Sequence, residues 1–192
     1  MTTLVLASGS RYRAAQLATL GIPFESDAPD IDESALPGET PDALAVRLAA
    51  EKARAVLERH PHALVLGGDQ VATLCGTRLG KPGDAASARA QLARQSGRCV
   101  EFLGAVHLID GRDGRERSAL VSTRATLRVL ADEEIFRYVE RDAPLDCAGA
   151  FKVESLGIAL FERIESSDPS ALVGLPLIAT ARLLRECGLA VP

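Results

Sequence analysis

The chain has 192 residues, 47% of them hydrophobic, which supplies a full core for one domain or for one domain with two lobes. Lys and Arg number 22 against 26 Asp and Glu, a net charge of −4. That balance argues against general nucleic-acid binding, which needs a basic surface, and no apolar run approaches a membrane span. Cys75, Cys99, Cys147 and Cys187 show no zinc-type or redox spacing with each other or with the 3 histidines. Residues 2–7 lack the length and basic leader of a signal peptide. The expectation is therefore a cytoplasmic protein with four reduced, mostly buried thiols.

Residues 3–7 read as a short apolar strand. Ser8-Gly9-Ser10 then precedes a helical stretch over 12–20 that Gly21 ends. The free N–H groups of that first turn, with Arg11 and Arg13 beside them, suit a phosphate; an ordinary capped helix with two surface arginines is the other reading. Residues 25–41 are rich in acids and prolines and read as a loop. The loop is either simply solvated or hides a ligand for a hard cation, with Glu33 or Asp32 as candidates. Residues 41–60 form a strong helix, capped at Thr40 and begun by Pro41. Leu44, Leu48, Lys52 and Val56 share one stripe, so Lys52 is a cation on an apolar face. It either snorkels outward or aims at an anionic ligand.

The 63–74 segment, Ala-Leu-Val-Leu-Gly-Gly-Asp-Gln-Val-Ala-Thr-Leu, reads as a buried strand interrupted at Gly67-Gly68, with Asp69 at its exposed broken end. The same residues also make an ordinary turn with a solvated acid. A turn over 75–77 leads to Lys81, set between Gly80 and Pro82. An amphipathic helix over 84–95 stops at Gly97. Strands over 99–109 and 118–130 pair through a hairpin at 110–114, and the second buries Val121, Thr123, Ala125, Leu127 and Val129. A capped helix over 132–141 turns Ile135, Tyr138 and Val139 inward. A small-residue segment over 146–152, a strand over 158–164 and a polar loop over 166–174 follow. The closing helix spans 175–187, with Pro176 in its first turn and Gly188 after its end. Helices interrupting strands make the class α/β, and the long hairpin argues for a mixed central sheet with helices on both sides.

From end to end the chain resembles the Maf family of nucleoside triphosphate pyrophosphatases. The matching stretches are Leu6 to Ser10 with Arg13, Asp32-Glu33, Glu51-Lys52-Ala53, Gly67 to Gln70, Gly80-Lys81-Pro82, Ser96-Gly97, Ala148-Gly149 and Val173 to Leu177. The resemblance implies a Maf/ITPase-like fold with two lobes around a cleft, often as a homodimer. It implies that Asp69 is the catalytic acid and that Ser8, Arg13, Glu33, Lys52 and Lys81 line the triphosphate and metal site. Gln70, the 147–152 run Cys-Ala-Gly-Ala-Phe-Lys with Glu154, and Asp168-Pro169 ahead of Leu172-Val173 further resemble its 7-methyl-GTP branch. The dTTP/UTP branch typically has Thr after the Asp and Gln at the later position. The resemblance implies that Tyr12, Gln70 and Glu154 stand at the three positions that set base choice. A methylated guanine is cationic, so Tyr12 can stack on it, and Glu154 can accept from its N1–H and amino group and offset the charge. Arg11 stands where the family usually has Pro, Ala14 where it has a second Arg, and Tyr12 where this branch more often has Trp.

The reaction so implied is hydrolysis between the α- and β-phosphates, the work of a hydrolase on acid anhydrides. Arg13, Lys52 and Lys81 hold the phosphates, and Mg²⁺ or Mn²⁺ sits on Asp69 and Glu33. Asp69 acts as general base, metal ligand or both. The rival readings are a dTTP/UTP pyrophosphatase, a nucleotidyltransferase suggested loosely by residues 4–13, and a septum-formation regulator without essential catalysis.

Overall fold

The computed structural model describes residues 3–191, so Thr2, the first residue of the segment weighed as a signal peptide, lies outside the described residues. The elements run β1 (Leu4–Ala7), α1 (Arg11–Ala18), β2 (Glu25–Asp27), α2 (Pro41–Leu57), β3 (Leu64–Leu74), β4 (Thr77–Leu79), α3 (Ala85–Gln95), β5 (Cys99–Asp110), β6 (Arg115–Leu127), α4 (Asp132–Asp142), β7 (Phe161–Ser166) and α5 (Leu177–Glu186). Two 3₁₀ turns, Leu156–Leu160 and Pro169–Leu172, flank β7. The described strands form one mixed seven-stranded sheet in the order β2-β1-β3-β5-β6-β7, with β4 also paired to β3. β1 is parallel to β2 and β3, and the other pairings are antiparallel.

Alternation along β3 sends its residues to opposite layers. Leu64 and Leu66 join Leu4, Leu6 and Leu17 under α1 and α5. Val65 joins Val5, Ala7, Ala53 and Val56 under α2. A separate core beyond the far end of β3 gathers Leu74, Leu92, Ile135 and Tyr138 with an edge-to-face chain of rings, Phe102 to Phe151 at 5.3 Å and Phe151 to Phe161 at 4.7 Å. These two regions are the lobes expected from the sequence.

The structure corrects several expectations. β3 is one unbroken strand of 11 residues, so Asp69 lies at its middle and not at a broken end. Part of the supposed loop over 25–41 is β2, a short edge strand whose exposed residues carry no apolar alternation. β6 ends at Leu127 after a register shift, which leaves Val129 83% exposed instead of buried. The strand expected over 158–164 begins at Phe161, because the chain folds back in a 3₁₀ turn at Gly157, where a Cβ would lie 2.4 Å from the Lys152 carbonyl oxygen. The polar loop over 166–174 contains a 3₁₀ turn and is largely structural. Asp168 is buried, its Oδ2 accepting from the N–H groups of Ile178 and Ala179, and Ser170 Oγ accepts from Leu177 N–H. Together they satisfy the free N-terminus of α5, which starts at Leu177 with Pro176 just outside it. Thr40 occupies the N-cap of α2 without a side-chain cap hydrogen bond. All four cysteines are free thiols, but only Cys187 is buried, because the others lie in turns or near the sheet rim.

Two details fix α2 and the acidic loop in place. A Cβ at Gly67 would stand 2.1 Å from the Ala49 carbonyl oxygen, so only glycine lets α2 lie so close on β3. From α2, Arg47 donates to both Glu39 oxygens (2.6 and 2.8 Å), to the Ser34 carbonyl (2.9 Å) and to Glu51 (2.9 Å). This fork ties the loop carrying Glu33 to the helix carrying Lys52.

Gly67→Ala should therefore destabilise the fold by about 1–3 kcal/mol in urea titrations, through overpacking. Gly80→Ala, whose Cβ meets open space at an ordinary φ, should stay within about 0.5 kcal/mol. The Arg47 hydrogen bonds hold Glu39 down to about 2, so this tie is complete above the ordinary glutamate value of about 4.3 and is lost as the pH falls through about 2. Backbone NMR order parameters over residues 30–39 should fall in Arg47→Ala at neutral pH, and in the unmodified chain as the pH approaches that lower limit.

Candidate active site

The centre of the site is an ammonium group between two carboxylates. Lys52 Nζ lies 2.6 Å from Asp69 Oδ1 and 2.6 Å from Glu33 Oε1. Lys52 is 5% exposed and Asp69 6%, whereas the Glu33 side chain is open to solvent. Lys52 thus points inward from the buried stripe of α2, and the snorkelling alternative falls. Asp69 is on the α2 face of β3 because it is two residues beyond Gly67, and the close seat of α2 on that glycine brings the lysine within reach.

Asp69 is accessible without a break in its own strand. β1 pairs with β3 only as far as Gly67, and β4 takes over only from Ala72. Between them the edge of β3 is uncovered, while the opposite edge stays paired with β5, Asp69 facing Ala105. The exposed end therefore belongs to the neighbouring strand β1.

Ser8 follows that end directly. Its Oγ accepts from Ser10 N–H at 3.1 Å, and Ser10 Oγ caps α1 by accepting from Arg13 N–H at 3.4 Å. Arg13 Nε donates to the Gly174 carbonyl at 3.0 Å, which fixes the guanidinium beside the acids. Burial lowers the Arg13 value, and the charges of Asp69 and Glu33 partly restore it; a guanidinium remains charged. Burial alone would raise Glu33, but the Lys52 hydrogen bond and the charges of Lys52, Lys81 and Arg13 hold it below the ordinary carboxylate range. Asp32, the alternative ligand, is exposed and caps its own turn by accepting from Ser34 N–H at 2.9 Å.

One cleft of about 860 Å³ is lined by Ser8, Arg13, Glu33, Lys52, Asp69 and Lys81 and by Tyr12, Gln70 and Glu154, but not by Asp32. Gln70 projects to the other face of β3 and donates its amide hydrogens to the carbonyls of Ala171 (2.7 Å) and Leu172 (3.2 Å). Only its Oε1 is left without a protein partner among the described residues, so at this position it can accept but not donate. Glu154 is exposed at the rim. Tyr12 Oη donates to Asp146 Oδ2 at 3.3 Å, and Cys147 Sγ donates to the same carboxyl group at 3.5 Å. Burial and Asp146 push Cys147 up to about 12, so it stays a thiol and supplies no nucleophile. A more open groove of about 720 Å³ between α3 and α4, walled by Ala90, Ala93 and Phe136, carries none of these residues.

The sequence reading missed Arg47, Arg78 and Asp146. Arg47 had a local signal, its i,i+4 spacing to Glu51 on a helix. Arg78 lines the cleft from β4, where pairing with Thr73 puts it on the face of Asp69; that register is not visible in the sequence. Asp146 lies 134 positions from the Tyr12 it holds.

No group of three or more His, Cys, Asp or Glu side chains that could hold a metal ion occurs among the described residues. The donor set still fits a hard cation, because Glu33 and Asp69 converge on one positive group, and Mg²⁺ commonly uses one or two carboxylates plus substrate phosphates.

The Maf-like protein family matches residues 3–187. A 7-methyl-GTP pyrophosphatase of Xanthomonas campestris pv. campestris (strain 8004) is 56% identical over 192 residues, all of both chains. Another, of Aromatoleum aromaticum, is 53% identical over 189 residues, 98% of this chain and 97% of that one. The solved structure of the Staphylococcus aureus Ham1 protein superimposes with a TM-score of 0.55 at 12% identity, covering 98% of this chain and 100% of that one, a likeness of fold alone. A match over nearly the whole length and full-length relatives above half identity have one reading: the chain belongs to the Maf-like protein family.

Proposed function

We propose that this chain hydrolyses 7-methyl-GTP to 7-methyl-GMP and diphosphate, removing a modified nucleotide from the pool. The observation that carries the reading is the buried Lys52 bridging Asp69 and Glu33 inside a cleft that also holds Arg13 and Lys81. The printed names of the full-length relatives support the substrate.

Phosphoryl and nucleotidyl transfer depend mainly on positioning and on neutralising charge. Arg13, Lys52 and Lys81 hold the triphosphate, and the Ser8 hydroxyl donates to a phosphate oxygen. Asp69 Oδ1 is taken by Lys52, while Oδ2 has no protein partner among the described residues. Oδ2 orients the attacking water and accepts its proton. The water oxygen bonds to phosphorus as the α–β anhydride breaks, and diphosphate leaves. Mg²⁺ or Mn²⁺ held by Glu33 and Asp69 would neutralise phosphate charge and polarise the scissile group. At the other end of the cleft Tyr12 stacks on the base. Glu154 and Gln70 Oε1 accept from it, a set suited to the donor edge of guanine and to a positive ring.

A cytoplasmic location, a homodimer and the absence of a nucleic-acid partner belong to the same proposal. Among the described residues no helix is long and apolar enough to cross a membrane.

Asp69→Asn should lower kcat by at least about 10²-fold with the circular dichroism of the unmodified chain retained, and melting should fall because buried Lys52 loses one of its two carboxylate partners. Retained turnover would remove the acid from the mechanism. A panel of 7-methyl-GTP, GTP, UTP and dTTP, each with Mg²⁺ or Mn²⁺, should give the highest kcat/KM for 7-methyl-GTP. Preference for UTP or dTTP would move the chain to the pyrimidine reading, and inactivity on all four would favour a regulator.

A further inference from the structure

The Tyr12 end of the cleft already holds a cation, and the chain supplies it. Arg11 Nη2 donates to Tyr12 Oη at 2.8 Å and lies 3.5 Å from Asp146 Oδ2. Its guanidinium carbon sits 4.8 Å from the centre of the Tyr12 ring. The Arg11 side chain is 75% exposed, so these contacts, and not packing, keep it there. A planar cation on an aromatic face beside a carboxylate is the arrangement a positively charged purine would adopt. Arg11 also pairs with Asp146, one of the acids that line the cleft together with Glu154.

We propose that Arg11 is an internal cation that competes with a positively charged base for Tyr12 and Asp146, and so sets how strongly the cleft prefers a cationic base over a neutral one. The inference rests on the reading above that the base binds at Tyr12. A cationic base gains the ring face and a carboxylate only by displacing the guanidinium. A neutral base gains less from Arg11 leaving, because the freed carboxylate offers it no charge attraction. Arg11 is thus a specificity-tuning residue, and its side chain takes no part in the chemistry.

The test is steady-state hydrolysis of 7-methyl-GTP and GTP by the full chain and by Arg11→Gln and Arg11→Lys. Exposed contacts of this kind are worth a factor of about two to five. Arg11→Gln should therefore lower KM for 7-methyl-GTP about two- to fivefold. KM for GTP should change less, and kcat should be unchanged for both. Arg11→Lys keeps the charge and should retain the selectivity of the unmodified chain. A rise in KM for both substrates in Arg11→Gln would mean that Arg11 serves to orient Tyr12, and would overturn the proposal. An unchanged ratio of kcat/KM would overturn it as well. No preference for 7-methyl-GTP in the unmodified chain would instead bring down the proposed function, and this inference with it.

Discussion

The site depends on one buried positive charge. Lys52 Nζ is shared by Glu33 and Asp69 at 2.6 Å each, and neither Lys52 nor Asp69 is more than 6% exposed. An ionised group removed from water is tolerated only when paired and hydrogen-bonded, and breaking such a buried pair costs about 3–5 kcal/mol. That constraint makes the three side chains a unit. The acid and the lysine are tolerated inside because each is the other's hydrogen-bonded partner. Such an arrangement contributes little net stability over an apolar core. Its consequence lies in chemistry, since it holds a carboxylate and an ammonium ready at one point on the wall of a cleft.

Much of the surrounding fold serves to bring that unit together and open it. Gly67 admits α2 to the sheet, where Ala49 and Ala53 touch the strand backbone. β1 stops at Gly67 and β4 begins to pair only at Ala72, so the middle of β3 is open at one edge while the rest of the sheet remains paired. Arg47 clamps the acidic loop one turn before Lys52 on the same helix, which delivers Glu33 over the lysine. The turn over 169–174 is fastened from the inside by Gln70, Gln16 and Arg13, each donating to its backbone carbonyls. Gln70 thus joins the strand that bears Asp69 to the opposite wall of the cleft. The cleft is also polarised. Arg13, Lys52 and Lys81 cluster around the two central acids, whereas Asp146 and Glu154 lie with Tyr12 and Cys147.

Much of this was legible in the residues alone. Apolar periodicity located α2, α3, α4 and the long hairpin, because burial on one face writes itself into spacing. It also flagged Lys52 as an anomaly on the Leu44, Leu48 and Val56 stripe. The weakest readings were at edges and turns. β2 has no apolar alternation to betray it, since an edge strand is held by backbone pairing. Asp168 and Ser170 look like solvated loop residues but cap α5, Asp168 from a buried position, because the N–H groups they satisfy belong to a helix that begins several residues later.

The sequence by itself determined the class of the fold and the family, and it brought forward candidate residues that the fold gathers along one cleft. Those follow from local composition, from spacing along the chain and from resemblance over its whole length. Only the tertiary structure decided how Asp69 becomes reachable, which of Asp32 and Glu33 meets Lys52, and where Gln70 spends its hydrogen bonds. It also decided that Arg11 covers Tyr12 beside Asp146. Each of these is a contact between segments distant along the chain or a matter of strand register, and neither leaves a mark in the local order of residues.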